Sequence, residues 1–107
     1  MDKWSTTKTV SKLTNPKGFD IIQIPALLAR AVILEVGGGC ELCGKVTESD
    51  EIMYYIATIN QVYCADCFIA WYNSATRYKS DIPAETENCE RIIKKLKDAG
   101  WWETPLR

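Results

Sequence analysis

The pattern of apolar and polar positions changes several times along the chain. Residues 1–18 are polar, rich in Thr, Ser and Lys, and close on Asn15-Pro16-Lys17-Gly18, a turn signature. They predict a mobile or loosely docked arm. Residues 24–36 predict a helix with Pro25 in its first turn and Gly37 as its stop. A buried strand over 31–36 is the rival, favoured by Val32, Ile33 and Val36. Gly37-Gly38-Gly39 then lets the backbone enter a tight structure. Residues 51–63, rich in Ile, Tyr and Val with Ile59-Asn60-Gln61 past their middle, suit a short β-hairpin. From residue 65 the period becomes helical, with Phe68, Trp71, Tyr72 and Ala75 on one face and an end near Tyr78. A last helix is predicted over 82–99, with Asp81 as N-cap, Pro83 in the first turn and Gly100 as the stop. Its apolar face is Cys89, Ile92, Ile93 and Leu96, and Glu85, Glu87, Lys94 and Lys97 are expected to face water. The fold class is α+β, and no internal repeat is present.

Composition narrows the chemistry. A chain of 107 residues is one domain, and 47% apolar residues beside 25% charged ones suffice for a core. Histidine is absent, which removes catalytic triads, imidazole acid–base chemistry and every zinc site with a histidine ligand. A net charge of -1 argues against coating nucleic acid by bulk charge. The first 20 residues lack the apolar core of about 7 to 15 residues that a signal peptide needs. The apolar stretch 21–36 is interrupted by Gln23, Pro25, Arg30 and Glu35, short of the roughly 20 residues of a membrane span. The expected location is therefore cytoplasmic, where thiols stay reduced and paired cysteines read as metal ligands rather than disulfides.

Cys40-Glu-Leu-Cys43 and Cys64-Ala-Asp-Cys67 form two C-x2-C pairs separated by 20 residues, the spacing of a four-thiolate zinc site. Each two-residue spacer brings two sulfurs of one tight turn onto an ion that wants a tetrahedral shell at about 2.3 Å. Gly44 supplies a position free to take positive φ after the first pair. The second pair enters a helix, whose first-turn N–H groups and dipole favour a thiolate at Cys67.

Knuckle, hairpin and a helix carrying the second pair occur in the order of a treble-clef zinc finger, and residues 40–78 resemble that family. The likeness covers about a third of the chain and speaks for the fold of a site, not for an activity. HNH nucleases in that group need a catalytic histidine, absent here, and RING and LIM modules need about eight ligands where this chain has five cysteines. Beyond the clef, the chain looks like the small treble-clef proteins of bacteria, phages and mobile elements. Iron in a rubredoxin-like site is an alternative for the same four thiolates, although the second pair lacks the usual Pro and Gly. A thioredoxin-type role lacks its Trp-Cys-Gly-Pro-Cys context. Cys89, on the apolar face of the last helix, reads as a small core residue.

Between Cys40 and Trp71, five acids (Glu41, Glu48, Asp50, Glu51 and Asp66) face Lys45 alone, and four thiolates on Zn²⁺ add two further negative charges. Such a module repels phosphate. Positive charge lies instead in the arm (Lys3, Lys8, Lys12, Lys17) and in the last helix (Arg91, Lys94, Lys95, Lys97), where nearby Glu87 and Glu90 mark a solvated face. Side chains alternate along a hairpin, so Tyr54 and Tyr55 cannot both point inward. One of them, with Trp102 of the Trp101-Trp102 tail, is a candidate partner contact.

With all four positions filled by cysteine, one zinc is expected to be structural. No nucleophile and base pair or phosphate loop stands out. The expected function is a non-enzymatic interaction protein that binds a partner protein without membrane or nucleic acid; the resemblance implies a phage or mobile-element regulator or inhibitor. The alternatives are a nucleic-acid-binding regulator using the basic arm with zinc as scaffold, and an accessory subunit of a larger enzyme.

Overall fold

The computed structural model describes residues 9–33 and 39–106. Four strands, β1 (Ser11–Lys12), β2 (Ile21–Pro25), β3 (Ile52–Ile56) and β4 (Gln61–Tyr63), lie in that order in one antiparallel sheet. Between β2 and β3 come a single α-turn, α1 (Ala26–Leu28), and a π-helical run, Ala29–Ile33. Helix α2 (Ala65–Ser74) follows β4, and α3 (Ile82–Asp98) follows a 3₁₀ turn at Lys79–Asp81. Among the described residues no helix is long and apolar enough to cross a membrane.

Strand β2 is the centre of the core, and it is the element the apolar pattern hides. Ile21, Ile22 and Ile24 are fully buried and Gln23 nearly so. A strand covered on both faces shows a continuous apolar run rather than alternation, so it reads as the start of a helix. Ile24 and Pro25 therefore end a strand instead of opening the expected helix over 24–36. The helical stretch that follows runs only from Ala26 to Ile33. Residues 34–36 of that expected helix, and of the rival strand, lie outside the described residues, as do Gly37 and Gly38.

Part of the expected polar arm is also core. Val10 and Leu13 are buried, β1 pairs with β2, and the Asn15 side chain bonds the carbonyls of Leu13 and Phe19 while accepting the Phe19 N–H. Two apolar residues at i and i+3 were too sparse a signal against the surrounding Thr, Ser and Lys. Residues 1–8 of the arm lie outside the described set. Beyond β1, Val10 exchanges backbone hydrogen bonds with Glu103 and Thr104, and Thr9 bridges to Pro105, so the C-terminal tail covers this edge.

The hairpin register places Tyr55 opposite Ile22 and Val62. Tyr55 faces α3: its hydroxyl donates to Asn60 Oδ1, which also accepts from Arg91 of that helix. Tyr54 faces α2 and stacks on Phe68 at 4.5 Å between ring centroids. The sheet is thus covered by one helix on each face. Helix α2 ends at Ser74, before the expected Tyr78, where Ser74 bonds back to the Ala70 and Trp71 carbonyls. Lys17 Nζ, reaching from the turn before β2, donates to the Tyr72 and Ala75 carbonyls and caps that end. Asp81 occupies the N-cap position of α3 without a side-chain capping bond. Gly100, at φ 80°, ends α3 in a Schellman arrangement, with the Trp101 N–H on Leu96 O and the Gly100 N–H on Lys97 O.

Cys89, Ile92 and Leu96 are buried as the helical period predicts, but Glu85 joins them instead of facing water. Its carboxylate accepts from the Asp20 N–H at 2.8 Å, the Thr58 hydroxyl at 2.7 Å and the Arg77 guanidinium at 3.0 Å. A buried charge survives only when paired and hydrogen-bonded, and these three donors meet that condition. Period alone could not place Glu85, because its partners come from three distant segments. Truncating it strands those donors, so Glu85→Ala should lose about 3 kcal/mol of stability. The check is a urea titration in which the midpoint falls and the slope is unchanged.

Candidate metal centre

The first cysteine pair sits in a knuckle built by backbone hydrogen bonds. The Cys40 N–H donates to Lys45 O at 2.9 Å, the Gly44 N–H to Cys40 O at 2.9 Å, and the Leu42 N–H points at Cys40 Sγ at 3.4 Å. Gly44 takes φ 79°, the left-handed conformation its position after Cys43 predicts. Gly39 is required for a different reason. A Cβ there would lie 1.9 Å from Lys45 O, inside the returning strand of the knuckle.

The second pair is positioned by α2. Cys64 is its N-cap residue in extended conformation, and its carbonyl accepts the Phe68 N–H. Cys67 falls in the first turn. Buried Phe68 and Tyr72 fix the helix against the sheet and so fix where Cys67 stands.

The fold brings all four sulfurs together. Cys40, Cys43, Cys64 and Cys67 have Sγ atoms within 4.8 Å of one another, with Cys43 and Cys64 at 3.9 Å. Sulfurs at the corners of a tetrahedron about 2.3 Å from a central zinc are roughly 3.8 Å apart, so the donor set fits one such ion. All five cysteines are free thiols; Cys40 and Cys64 are buried, Cys67 half-buried and Cys43 exposed. Cys89 lies outside the cluster, and burial pushes its thiol up to about 11, as suits a core side chain.

The electrostatics of the cluster are compatible with a cation. Burial pushes the Cys40 thiol up, but the backbone N–H groups of Cys43, Cys64 and Leu42 outweigh it and hold the group lowered to about 6. Cys67 is pushed up to about 12 by desolvation and then by the neighbouring thiols, and Cys64 is raised, again by desolvation first. The Cys40 thiol is thus favoured to ionise, while burial first holds Cys64 and Cys67 in the neutral form. A bound divalent cation removes that conflict, because it favours the thiolate at every corner.

Sequence reasoning saw Glu41 only as one acid among five. Its backbone N–H donates to Val62 O at 2.9 Å, and its carboxylate accepts the Val62 N–H at 2.7 Å. This reciprocal clasp fastens the knuckle onto the outer edge of β4, two residues before Cys64. No local signal marks it, since the partner lies 21 positions away.

The residues expected to meet a partner are placed less favourably. Tyr55 is fully buried, Tyr54 is half-buried under Phe68, and Trp102 packs half-buried against the core. Trp101 is the more open indole, at 43% exposure. No family model matches the chain, and neither the curated proteins nor the solved structures contain a match to it.

Elemental analysis should find one metal ion per chain, and Cys→Ser changes at 40, 43, 64 or 67 should each lower that content. Cys89→Ala should leave it at one. Loss of the ion with Cys89→Ala would show that the ligand set is misassigned. Glu41→Ala should weaken metal affinity by roughly tenfold, the lower end of what loss of an outer-shell support costs, while the metal-loaded protein keeps its stoichiometry. Competition with a chromophoric chelator measures the change.

Proposed function

We propose that the chain is a non-enzymatic, zinc-stabilised interaction protein whose metal module is a single treble clef. The observation that carries this reading is the closed set of four cysteine sulfurs within 4.8 Å. With four protein ligands the ion keeps no position for water or substrate, so its contribution is to folding. The order of parts supports the clef: a knuckle at 40–43, the β3–β4 hairpin, then Cys67 in the first turn of α2. Zinc is favoured over iron because the second pair opens a helix rather than a second glycine-bearing knuckle.

The partner in this reading is a protein, met in the cytoplasm, and the role is that of a small regulator or inhibitor, as the likeness to phage and mobile-element clefs implies. Charge supports a protein over nucleic acid. The acids of the module outnumber Lys45, and the zinc–thiolate unit is itself anionic.

X-ray absorption of purified protein should show four sulfurs at about 2.3 Å from zinc. Chelation should unfold the chain and abolish co-purification of its partner. Labelled DNA or RNA should not bind tightly at physiological salt. A specific nucleic-acid complex at about 10⁻⁸ M or tighter, weakening steeply with salt, would replace this reading with that of a nucleic-acid regulator.

A further inference from the structure

Six large apolar side chains are exposed among the described residues, and three of them, Leu27, Leu42 and Val46, belong to segments that are fastened to one another. The Leu27 N–H donates to Ser49 O at 3.0 Å and the Ala26 N–H to Glu51 O at 2.8 Å. Both guanidinium nitrogens of Arg30 donate to Thr47 O. These bonds lay α1 and its π-helical extension along residues 47–51. The Cys40–Lys45 bond in turn ties that segment to the knuckle that carries Leu42.

The local geometry explains why these side chains point outward. Thr47 is buried, its hydroxyl directed at Met53 Sδ, while its neighbour Val46 is turned to solvent at 69% exposure. Within the knuckle, Glu41 reaches to β4 and leaves Leu42 outward at 59%. Leu27 is equally exposed while its neighbours Ala26 and Leu28 are buried. Each apolar group is thus held by a fixed backbone, which lowers the entropy cost of docking against it.

The rim is acidic. Glu48, Asp50 and Glu51 are exposed in the segment that carries Val46, and Lys45 is the exposed cation beside them. Arg30 is half-buried with its guanidinium turned onto Thr47 O. A surface with an apolar centre and an acidic border complements a segment of opposite pattern and repels phosphate.

We propose that Leu27, Leu42 and Val46, bordered by Glu48, Asp50 and Glu51, form the docking face for a partner protein segment with apolar side chains flanked by Lys or Arg. This proposal rests on the interaction reading above and supplies the surface it lacks. The face lies on the metal module and on α1, so it exists only while the knuckle is ordered. That couples docking to the metal without any change at the ion during binding.

A peptide library displayed on phage, selected on the zinc-loaded chain, tests the proposal. The enriched peptides should carry Leu, Ile, Phe or Trp flanked by Lys or Arg. A synthetic representative should lose at least tenfold in affinity on Leu42→Ser with Val46→Ser, and again on Glu48→Lys with Asp50→Lys. Both sites are exposed, so zinc content and melting temperature should hold in these variants and separate lost docking from lost folding. Acidic or uncharged winners, or peptides that bind the Leu42→Ser, Val46→Ser chain equally well, overturn the face. Enrichment of nothing overturns it too, as does concentration-dependent self-association that these substitutions abolish, which would assign the face to a second copy. If binding instead disappears with Trp101→Ser, the docking face is wrong while the interaction reading stands; that reading is judged by co-purification and chelation.

Discussion

Four cysteine sulfurs gathered within 4.8 Å of one another impose the strongest constraint on this structure. Two like charges about 4 Å apart repel by about 4 kcal/mol even at an effective dielectric near 20. Several such pairs rival the whole net stability of a small domain, about 5–15 kcal/mol. Without a counter-charge the cluster can hold only part of the negative charge that four thiolates would carry. A cation at the centre turns the same repulsion into a reason for the chain to gather there. The knuckle that precedes β3 is then tied to the hairpin and α2.

A second, independent constraint holds the other side of the sheet. Glu85 lies at the start of α3 with no exposure, and its three donors come from the turn before β2, the hairpin turn and the segment between the helices. Farther along α3, Asn88 donates to the Ala57 carbonyl, and Arg91 joins Asn88 and Asn60, whose φ of 54° marks the tight end of the hairpin. One polar stripe of α3 therefore fastens the β3–β4 turn while the apolar stripe packs on Tyr55. The metal side and the carboxylate side share little beyond the sheet itself, so the two supports act on opposite ends of the hairpin.

What could be read from the chain beforehand follows physical locality. The gathering of the four cysteines, the hairpin and α3 were legible because each is specified by spacing or period within a short window, and Gly44 and Gly100 took the positive φ their places require. Strand β2 was hidden because full burial erases alternation. The docking of Val10 and Leu13 was hidden because their partners are a distant strand and the C-terminal tail. Gly39 looked like one of three flexible glycines, whereas its backbone leaves no room for a side chain beside Lys45. Glu41 and Glu85 are the same lesson in charge: an acid's role depends on which N–H it finds, and the sequence does not write that down.

The clasp between Glu41 and Val62 bears on more than the metal. It occupies the outward N–H and C=O of β4, on the side of the sheet opposite to the one covered by the C-terminal tail. An open strand edge is a template for pairing with another molecule. Because the knuckle provides the cover, opening it would do two things together: loosen the fold and uncover the outward N–H and C=O of Val62. In the zinc-stabilised reading, depleting the metal should then expose this edge to pairing with another molecule, which would tie solubility to the same cysteine cluster as shape.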